Sequence, residues 1–230
     1  MGEVLDYLQG MDDAAVIIRL VFATVCGSLI GWERVVRRHS AGIRTFALVS
    51  LGSAVAAVLN IYLANLNGLN ADVSRIPAGV VSGIGFLGAG TIIVTGRNQI
   101  KGLTTAASLW VASCMGMAFG AGYMSVGISC FFMVMVANLI LMKLSQKVEE
   151  NSRYVSLYVE VEETVGVKKL RKKLTQMGYS ISSMNKTKDK TLAGTDAAIM
   201  IEVDYGEKHS HHALFEELNN LDYVTYVEEI

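Results

Sequence analysis

Charged side chains stand where long apolar stretches begin and end. Residues 33–44 read E-R-V-V-R-R-H-S-A-G-I-R and include Glu33, Arg34 and Arg44. Arg44 lies where the chain enters an apolar stretch, and a guanidinium held there without water needs an anionic partner. Glu33 is the nearest carboxylate in sequence, so an ion pair between Glu33 and Arg44 is one interpretation of this loop.

Two further polar pairs stand at similar edges. Asp72 and Arg75 precede a glycine-rich apolar run. They form either a surface ion pair, worth about 0–1 kcal/mol, or a carboxylate gate at the mouth between two helices. Thr104 and Thr105 belong to the segment G-L-T-T-A-A. Threonines at a helix start either cap that helix or hydrogen-bond to a neighbouring one.

Motifs for metal binding or catalysis are weak. His209 and His212 stand about one helical turn apart and could hold a metal with Glu207 or Glu216; solvated histidines at a helix start are the alternative. The three cysteines are widely spaced and belong to no zinc or redox motif. The sequence contains no phosphate-binding loop and no nucleophile with its base. We therefore expect neither enzymatic activity nor a cofactor.

Composition divides the chain into two parts. The sequence is 52% hydrophobic and 18% charged, whereas charged residues make up about 25% of a typical soluble domain. Charges are dense from Lys143 onward. Between residues 41 and 142 the formal charges are Arg44, Asp72, Arg75, Arg97 and Lys101. This asymmetry predicts a membrane domain followed by a soluble tail.

Five apolar stretches can cross the roughly 30 Å hydrocarbon core of a bilayer. After an acidic segment, residues 1–13, they run from about 14 to 32, 43 to 64, 76 to 94, 103 to 121 and 124 to 142. Arg19 lies inside the first stretch and either extends to the membrane surface or pairs internally. We predict an α-helical membrane domain over residues 14–146.

Glycine marks the faces on which these helices are expected to pack. Small residues let helix backbones approach closely in a bilayer, where packing rather than water expulsion drives association. We predict that the third, glycine-rich helix is buried against its neighbours, with a candidate break between Gly85 and Gly90. The candidate packing glycines are Gly27, Gly31, Gly83, Gly85, Gly88, Gly90 and Gly102.

Lysine and arginine concentrate on alternate sides of the predicted helices. The loop after the first helix has four arginines, the loop after the third has Arg97 and Lys101, and the exit from the fifth has Lys143 and Lys147. The positive-inside rule then places the N-terminus outside and the C-terminus in the cytoplasm. For the arginines of residues 33–44, this role in orientation is the alternative to an ion pair.

The tail, residues 151–230, shows alternating and amphipathic patterns. Four segments alternate as half-buried strands do, and they begin near Tyr154, Tyr179, Ala197 and Tyr223. Two amphipathic helices separate them, and the first ends at Gly178. The order β-α-β-β-α-β predicts a soluble α+β ferredoxin-like domain.

Four motifs in order resemble the MgtC/SapB family of bacterial inner-membrane proteins. They are G-x-x-x-G-x-E-R at residues 27–34, A-G-I-R-T at 41–45, S-G-I-G-F-L-G-A-G at 82–90 and G-L-T-T-A-A-S-L-W at 102–110. The tail is similar in pattern to the ACT-like domain of longer members. Pro77 and Gly79 depart from the family pattern. The family's polar signature falls on Glu33, Arg34, Arg44, Thr45, Asp72, Arg75, Thr104 and Thr105.

The resemblance implies a link to growth in low magnesium and to virulence through survival inside macrophages. It also implies a regulator that restrains the F-type ATP synthase. We therefore expect a non-enzymatic regulator in the bacterial inner membrane, a homo-oligomer such as a dimer, that binds the ATP synthase or a transporter and no nucleic acid. The alternative is an oligomeric transporter or channel for Mg²⁺ or another ion, with Arg44 and Asp72 along its path. Mg²⁺ prefers oxygen ligands, and the scarcity of carboxylates in the predicted spans favours the regulator.

Overall fold

The structure, a computed structural model, describes residues 7–66, 72–95, 99–150, 152–186, 197–204 and 211–229. The chain forms two compact units. The first comprises Met1–Ile93 and Ile100–Leu144, and the second comprises Val94–Gln99 and Ser145–Ile230. Each unit has its own cluster of buried apolar side chains.

Helices make up most of the described part of the first unit, and the last of them continues past the end of this unit at Leu144. They are α1 (Asp13–Val36), α2 (Ile43–Ala64), α3 (Arg75–Thr91), α4 (Leu103–Gly120) and α5 (Met124–Val136). A π-helical turn, Ala137–Leu141, continues α5 into α6, Met142–Glu150. A hairpin of β1 (Ile93–Val94) and β2 (Ile100–Lys101) precedes α4.

Four of these helical stretches are long and apolar enough to cross a membrane: α1, α2, α4 and the continuous stretch Met124–Val148. The third predicted span, from about 76 to 94, corresponds to α3, which has 17 residues. At 1.5 Å per residue α3 is about 26 Å long, slightly less than the hydrocarbon core. The predicted helical membrane domain is confirmed, and the count of five spans is approximate because α3 is short.

The helix α4 lies at the centre of the bundle, in contact with α1, α2, α3 and α5. Its glycines Gly116 and Gly120 lie directly against the backbone of α2. A Cβ atom at either position would collide with the carbonyl oxygen of Ser50 or Ala54. This close crossing is the kind that a G-x-x-x-G pair permits between membrane helices.

A second close crossing joins α1 to the start of α2. A Cβ atom at Gly27 would lie 2.7 Å from the carbonyl oxygen of Phe46, and one at Gly31 would lie 2.6 Å from Cα of Ile43. Neither contact leaves room for a side chain. These two glycines therefore set the separation of α1 and α2.

The glycine-rich helix α3 differs from its prediction. Its buried residues are Ile84 and Gly88, and a Cβ atom at Gly88 would lie 3.3 Å from Cβ of Ala106 in α4. Most of α3 is exposed, so the expectation that neighbouring helices bury it is wrong. The helix is also continuous from Arg75 to Thr91, and the candidate break between Gly85 and Gly90 is not present.

The second unit contains a four-stranded sheet. Its elements are β3 (Tyr154–Val161), α7 (Glu163–Gln176), β4 (Ser180–Lys186), β5 (Ala197–Asp204), α8 (His211–Asn219) and β6 (Val224–Glu229). The strands lie in the order β4-β5-β3-β6, and all neighbours are antiparallel. The chain order and the sheet order are those of ferredoxin-like folds, as predicted. Assignment to the ACT-like class stays a prediction.

Both helices of the second unit pack on one face of this sheet. Alternate side chains of a strand point to the same face, and in β3 the buried core side chains are those at 155, 157, 159 and 161. Leu170 and Leu174 of α7 and Leu214 and Leu218 of α8 cover them and are almost fully buried. Gly178 follows α7 with φ of 90°, a left-handed conformation that favours glycine.

Candidate functional site

The C-terminal end of α1, the start of α4 and the π-helical turn meet in a cluster of polar side chains. This polar cluster consists of Glu33, Arg34, Arg37, Thr105 and Asn138. All but Arg37 are at most 9% exposed. Successive antiparallel helices bring these ends together, and buried polar groups must then satisfy one another.

Arg34 links the E-R motif of α1 to the G-L-T-T motif of α4. Its Nη2 donates a hydrogen bond to Oγ1 of Thr105 over 2.8 Å, although the residues are 71 positions apart. Nε of Arg34 has no hydrogen-bond partner among the described residues. Thr105 therefore supplies a bond to a guanidinium that is 2% exposed and has few other ways to be satisfied.

Both oxygens of Glu33 have positively polarised neighbours. Nε of Arg37 lies 2.6 Å from Oε1, one helical turn along α1; this contact has the distance of an ion pair but not the geometry of a hydrogen bond. Nδ2 of Asn138 donates to Oε2 over 3.1 Å. Nη1 of Arg37 also lies 2.7 Å from Sδ of Met142. These contacts tie the end of α1 to the last membrane helix.

The polar cluster has an excess of positive charge, since it contains two guanidinium groups and one carboxylate. This charge acts on His39, which lies in the loop after α1. Burial, and then the cation of Arg34, lowers the pKa of His39. His39 is therefore held in its neutral form to a lower pH than a free histidine.

Comparison with known proteins places this cluster inside a shared domain. Residues 20–147 match the model of the MgtC family, and this is more than half of the 230 residues. The chain belongs to the MgtC family. The match includes Glu33, Arg34, Thr105 and Asn138.

Several curated proteins are similar over the same region. "Putative magnesium transporter YhiD" of Escherichia coli is 44% identical over 119 residues, which cover 50% of this chain and 55% of that protein. An uncharacterized protein of Synechocystis is 41% identical over 129 residues, or 56% and 53%. "Protein MgtC" of Salmonella typhimurium is 38% identical over 134 residues, or 58% and 55%. This chain thus spans about half the length of the curated relatives it matches. No solved structure matches it significantly.

The remaining polar positions of the MgtC-family signature do not join the cluster. Arg44, Thr45, Arg75 and Thr104 are exposed. The interpretation of Glu33 as the partner of Arg44 is wrong, because Glu33 pairs with Arg37. The helix α1 extends to Val36, which places Arg37 one turn beyond Glu33, whereas Arg44 lies in the first turn of α2.

Asp72 has a local role at the start of α3. Its Oδ1 accepts hydrogen bonds from the hydroxyl of Ser74 at 2.6 Å and the backbone N–H of Ser74 at 2.9 Å. These bonds, with the hydroxyl first, lower the pKa of Asp72. No ion pair within 4 Å joins Asp72 to Arg75 in this described segment.

Arg19 is buried at the opposite end of the bundle. It is 0% exposed and does not extend to the surface. Its Nη2 donates to the carbonyl of Gly10 over 2.8 Å, and a Cβ atom at Gly122 would lie 3.0 Å from its Nη1. Among the described residues no carboxylate forms an ion pair with it. Arg19 thus holds the segment before α1 against the turn between α4 and α5.

The other candidates lie outside this arrangement. Gly102, the residue before α4, has φ of 98°, and a Cβ atom there would collide with the carbonyl of Thr91. This glycine is therefore required by the turn into α4. The described residues contain no group of three or more metal-binding side chains. His209 and the side chain of His212 are not among those described, so a metal at these histidines stays a prediction.

The sequence analysis did not assign Arg37 or Asn138 to a site. Each had a signal. Arg37 stands four positions after Glu33, the spacing of neighbours on a helix face. Asn138 is a lone amide in an apolar stretch, and a polar residue inside a membrane segment is a candidate for function or for a buried partner.

Proposed function

We propose that this MgtC-family protein is a non-enzymatic regulator that binds another membrane protein through α3. The supporting observation is the uncovered face of this helix. At 100° per residue, Gly79, Gly83 and Gly90 lie on the side of α3 away from Ile84 and Gly88, the two buried positions. Apart from chain neighbours and the adjacent backbone of α3 itself, no described atom lies within 4 Å of a Cβ built at any of these three exposed glycines.

A cleft runs beside this face. It has a volume of about 400 Å³ and lies between α2, α3 and α4, with mostly apolar side chains around it. Ser53 and Ser113, which line the cleft, are hydrogen-bonded to each other over 2.8 Å, so their polarity is satisfied. Phe86, 83% exposed, lies on the same face as the glycines. The surface therefore suits an apolar helix that approaches closely, as helices do over glycine in a bilayer.

The names of the relatives and the family resemblance suggest the process that is regulated. We place the protein in magnesium homeostasis and survival in low magnesium, in the bacterial inner membrane, with the ferredoxin-like tail in the cytoplasm as the distribution of lysine and arginine predicts. The proposed partner is the F-type ATP synthase. An ACT-like tail would contribute a dimer contact or a ligand site.

The test uses two glycines of α3 that face different sides. Gly83 borders the cleft, whereas Gly85 lies on the opposite flank, and no described atom lies within 4 Å of a Cβ at either. We expect Gly83→Leu to abolish co-purification of the ATP synthase in mild detergent and growth in low magnesium, because leucine prevents close helix approach. Gly85→Leu is the matched control and should retain both. Equal behaviour of the two variants at equal membrane levels would refute binding through this face.

Ion transport is the second candidate, and the name of the E. coli relative favours it. Against it, Glu33 is the one carboxylate buried in the described part of the first unit, and Arg37 and Asn138 already occupy it. Mg²⁺ requires several oxygen ligands. Flux of Mg²⁺ or protons in proteoliposomes, measured with indicator dyes and lost in Arg44→Ala, would establish the transporter.

A further inference from the structure

The helix α7 of the second unit has an outer face of a single charge sign. The basic face of α7 consists of Lys168, Lys169, Arg171, Lys172 and Lys173. Five of the ten lysines and arginines after residue 151 thus lie within six positions. The first four are exposed and the fifth is half-buried, while Leu170 and Leu174 on the other side of the helix lie in the core.

These cations are not neutralised by the described part of the unit. No described carboxylate lies within ion-pair distance of any of them. Lys168 and Lys172 stand four positions apart, as do Lys169 and Lys173, and like charges at this spacing repel on a helix. Nζ of Lys169 lies over the ring of Tyr223, 5.9 Å from the ring centroid. The helix therefore forms despite its charge pattern, which is typical of a face that meets an anionic partner.

The basic face contains a shallow groove of about 430 Å³. Its lining residues are Lys168, Arg171, Lys172, Thr175 and Gln176. Three cations and an amide are donors suited to phosphate oxygens, because hydrogen bonds between charged partners are the strong ones. The hydroxyl of Thr175 already donates to the carbonyl of Arg171 over 3.0 Å. No carboxylate lines the groove.

We propose that the basic face of α7 binds the anionic phospholipid headgroups of the membrane that the same chain spans. The helix begins at Glu163, thirteen positions after the end of α6 at Glu150. Thirteen residues reach at most about 45 Å when fully extended. The basic face is thus tethered near a surface that presents many phosphates, and tethering raises their effective concentration far above that of a freely diffusing acidic protein or nucleic acid.

The remaining charges of the tail fix the orientation of this contact. Glu216, Glu217 and Asp222 lie on α8 and just after it, and an anionic surface would repel them. Each lysine or arginine near an anionic bilayer strengthens binding about fivefold at moderate salt. Because α8 packs on the same face of the sheet as α7, the tail should tilt so that α7 lies nearer to the bilayer than α8.

Lysine acylation read by mass spectrometry tests this proposal on the full chain. The protein is reconstituted in vesicles of zwitterionic lipid alone or with about one third anionic lipid, and a membrane-impermeant acylating reagent is added. We expect the acylation rates of Lys168 and Lys172 to fall at least fivefold in the anionic vesicles and to recover at 0.5 M salt, because salt screens the attraction. Lys186, exposed at the end of β4, is the reference in the same molecule and should change less than twofold.

A pair of variants separates binding from a change in fold. Lys168→Gln with Lys172→Gln should weaken docking about 25-fold, so that Lys169 and Lys173 lose their protection in anionic vesicles. Lys186→Gln should leave that protection intact. Equal acylation of α7 in both vesicle types would overturn the proposal. Protection that is independent of lipid charge and persists in salt would also overturn it, in favour of a protein contact.

Discussion

The hydrogen bond between Arg34 and Thr105 gives the most direct test of the polar cluster. Thr105→Val keeps the size and branching of the side chain and removes the oxygen that accepts from Nη2 of Arg34 at 2.8 Å. A hydrogen bond to a charged group contributes about 1.5–3 kcal/mol. Arg34 is 2% exposed, so water cannot readily take the place of the hydroxyl.

We therefore expect Thr105→Val to lower the free energy of unfolding by about 2 kcal/mol, which raises the unfolded fraction about 30-fold. Thr105→Ser retains an acceptor and should lose less than half as much. Thr104→Val is the matched control, because Thr104 is the preceding residue of the same helix and is exposed.

The assay is reversible unfolding of the purified protein in mixed micelles, with increasing denaturing detergent and helix content followed by far-UV circular dichroism. The midpoint of Thr105→Val should lie clearly below those of Thr104→Val and Thr105→Ser. Coincident midpoints for the two valine variants would show that the bond to Arg34 contributes nothing measurable, and the account of the cluster would fail.

Three further predictions concern other parts of the chain. Arg44→Ala should abolish complementation of a low-magnesium growth defect while the protein still inserts in the membrane; normal growth would contradict a functional role for this exposed cation. Gly120→Leu should prevent accumulation of folded protein, since its Cβ would meet the backbone of α2, at a cost above about 4 kcal/mol; Gly79→Leu, where space is open, should accumulate normally in the same membrane blots. Burial, followed by the hydrogen bond to Glu217, raises the pKa of Tyr179 to about 12. The unfolded state, with a tyrosine pKa near 10, then loses a proton that the folded state keeps, so stability should fall as pH rises from about 10 to 12. Tyr179→Phe should remove that part of the decline in thermal unfolding followed by circular dichroism; an unchanged pH profile would argue against it.

Local patterns were enough to predict most of the secondary structure. The second apolar stretch was expected over residues 43–64, and α2 is Ile43–Ala64, because Gly42 and Asn65 border it. The strands of the tail follow from alternation, since one face of the sheet is covered by α7 and α8. Their order in the sheet, β4-β5-β3-β6, is the one expected for a ferredoxin-like fold.

The polar cluster was only partly predictable. Glu33 and Arg37 are neighbours on one helix, and their pairing follows from spacing alone. The bonds from Arg34 to Thr105 and from Asn138 to Glu33 span 71 and 105 positions, and they depend on which helix ends meet in the bundle. Nothing in the local sequence distinguishes Thr105, which is buried, from Thr104, which is exposed.

The surroundings of α3 were mispredicted for a related reason. Glycine allows close approach of a neighbouring helix, whether that helix belongs to the same chain or to another protein. In α4 the glycines meet α2, and in α3 four of the five meet no described residue of another helix. Composition alone cannot tell these two cases apart.

The π-helical turn at Ala137–Leu141 has a consequence for how this chain tolerates insertions and deletions. A π-bulge contains one residue more than the α-helix that it interrupts, and such turns occur often at functional sites. Because the wider turn already absorbs the extra residue, deletion of Ala137 would restore a regular helix and leave Met142 close to its present position beside Arg37. The same deletion in the regular part of α5 would rotate everything after it by about 100° and would move Asn138 and Met142 away from α1 together. The π-helical turn is thus the place where this helix can lose one residue and keep its later contacts with α1.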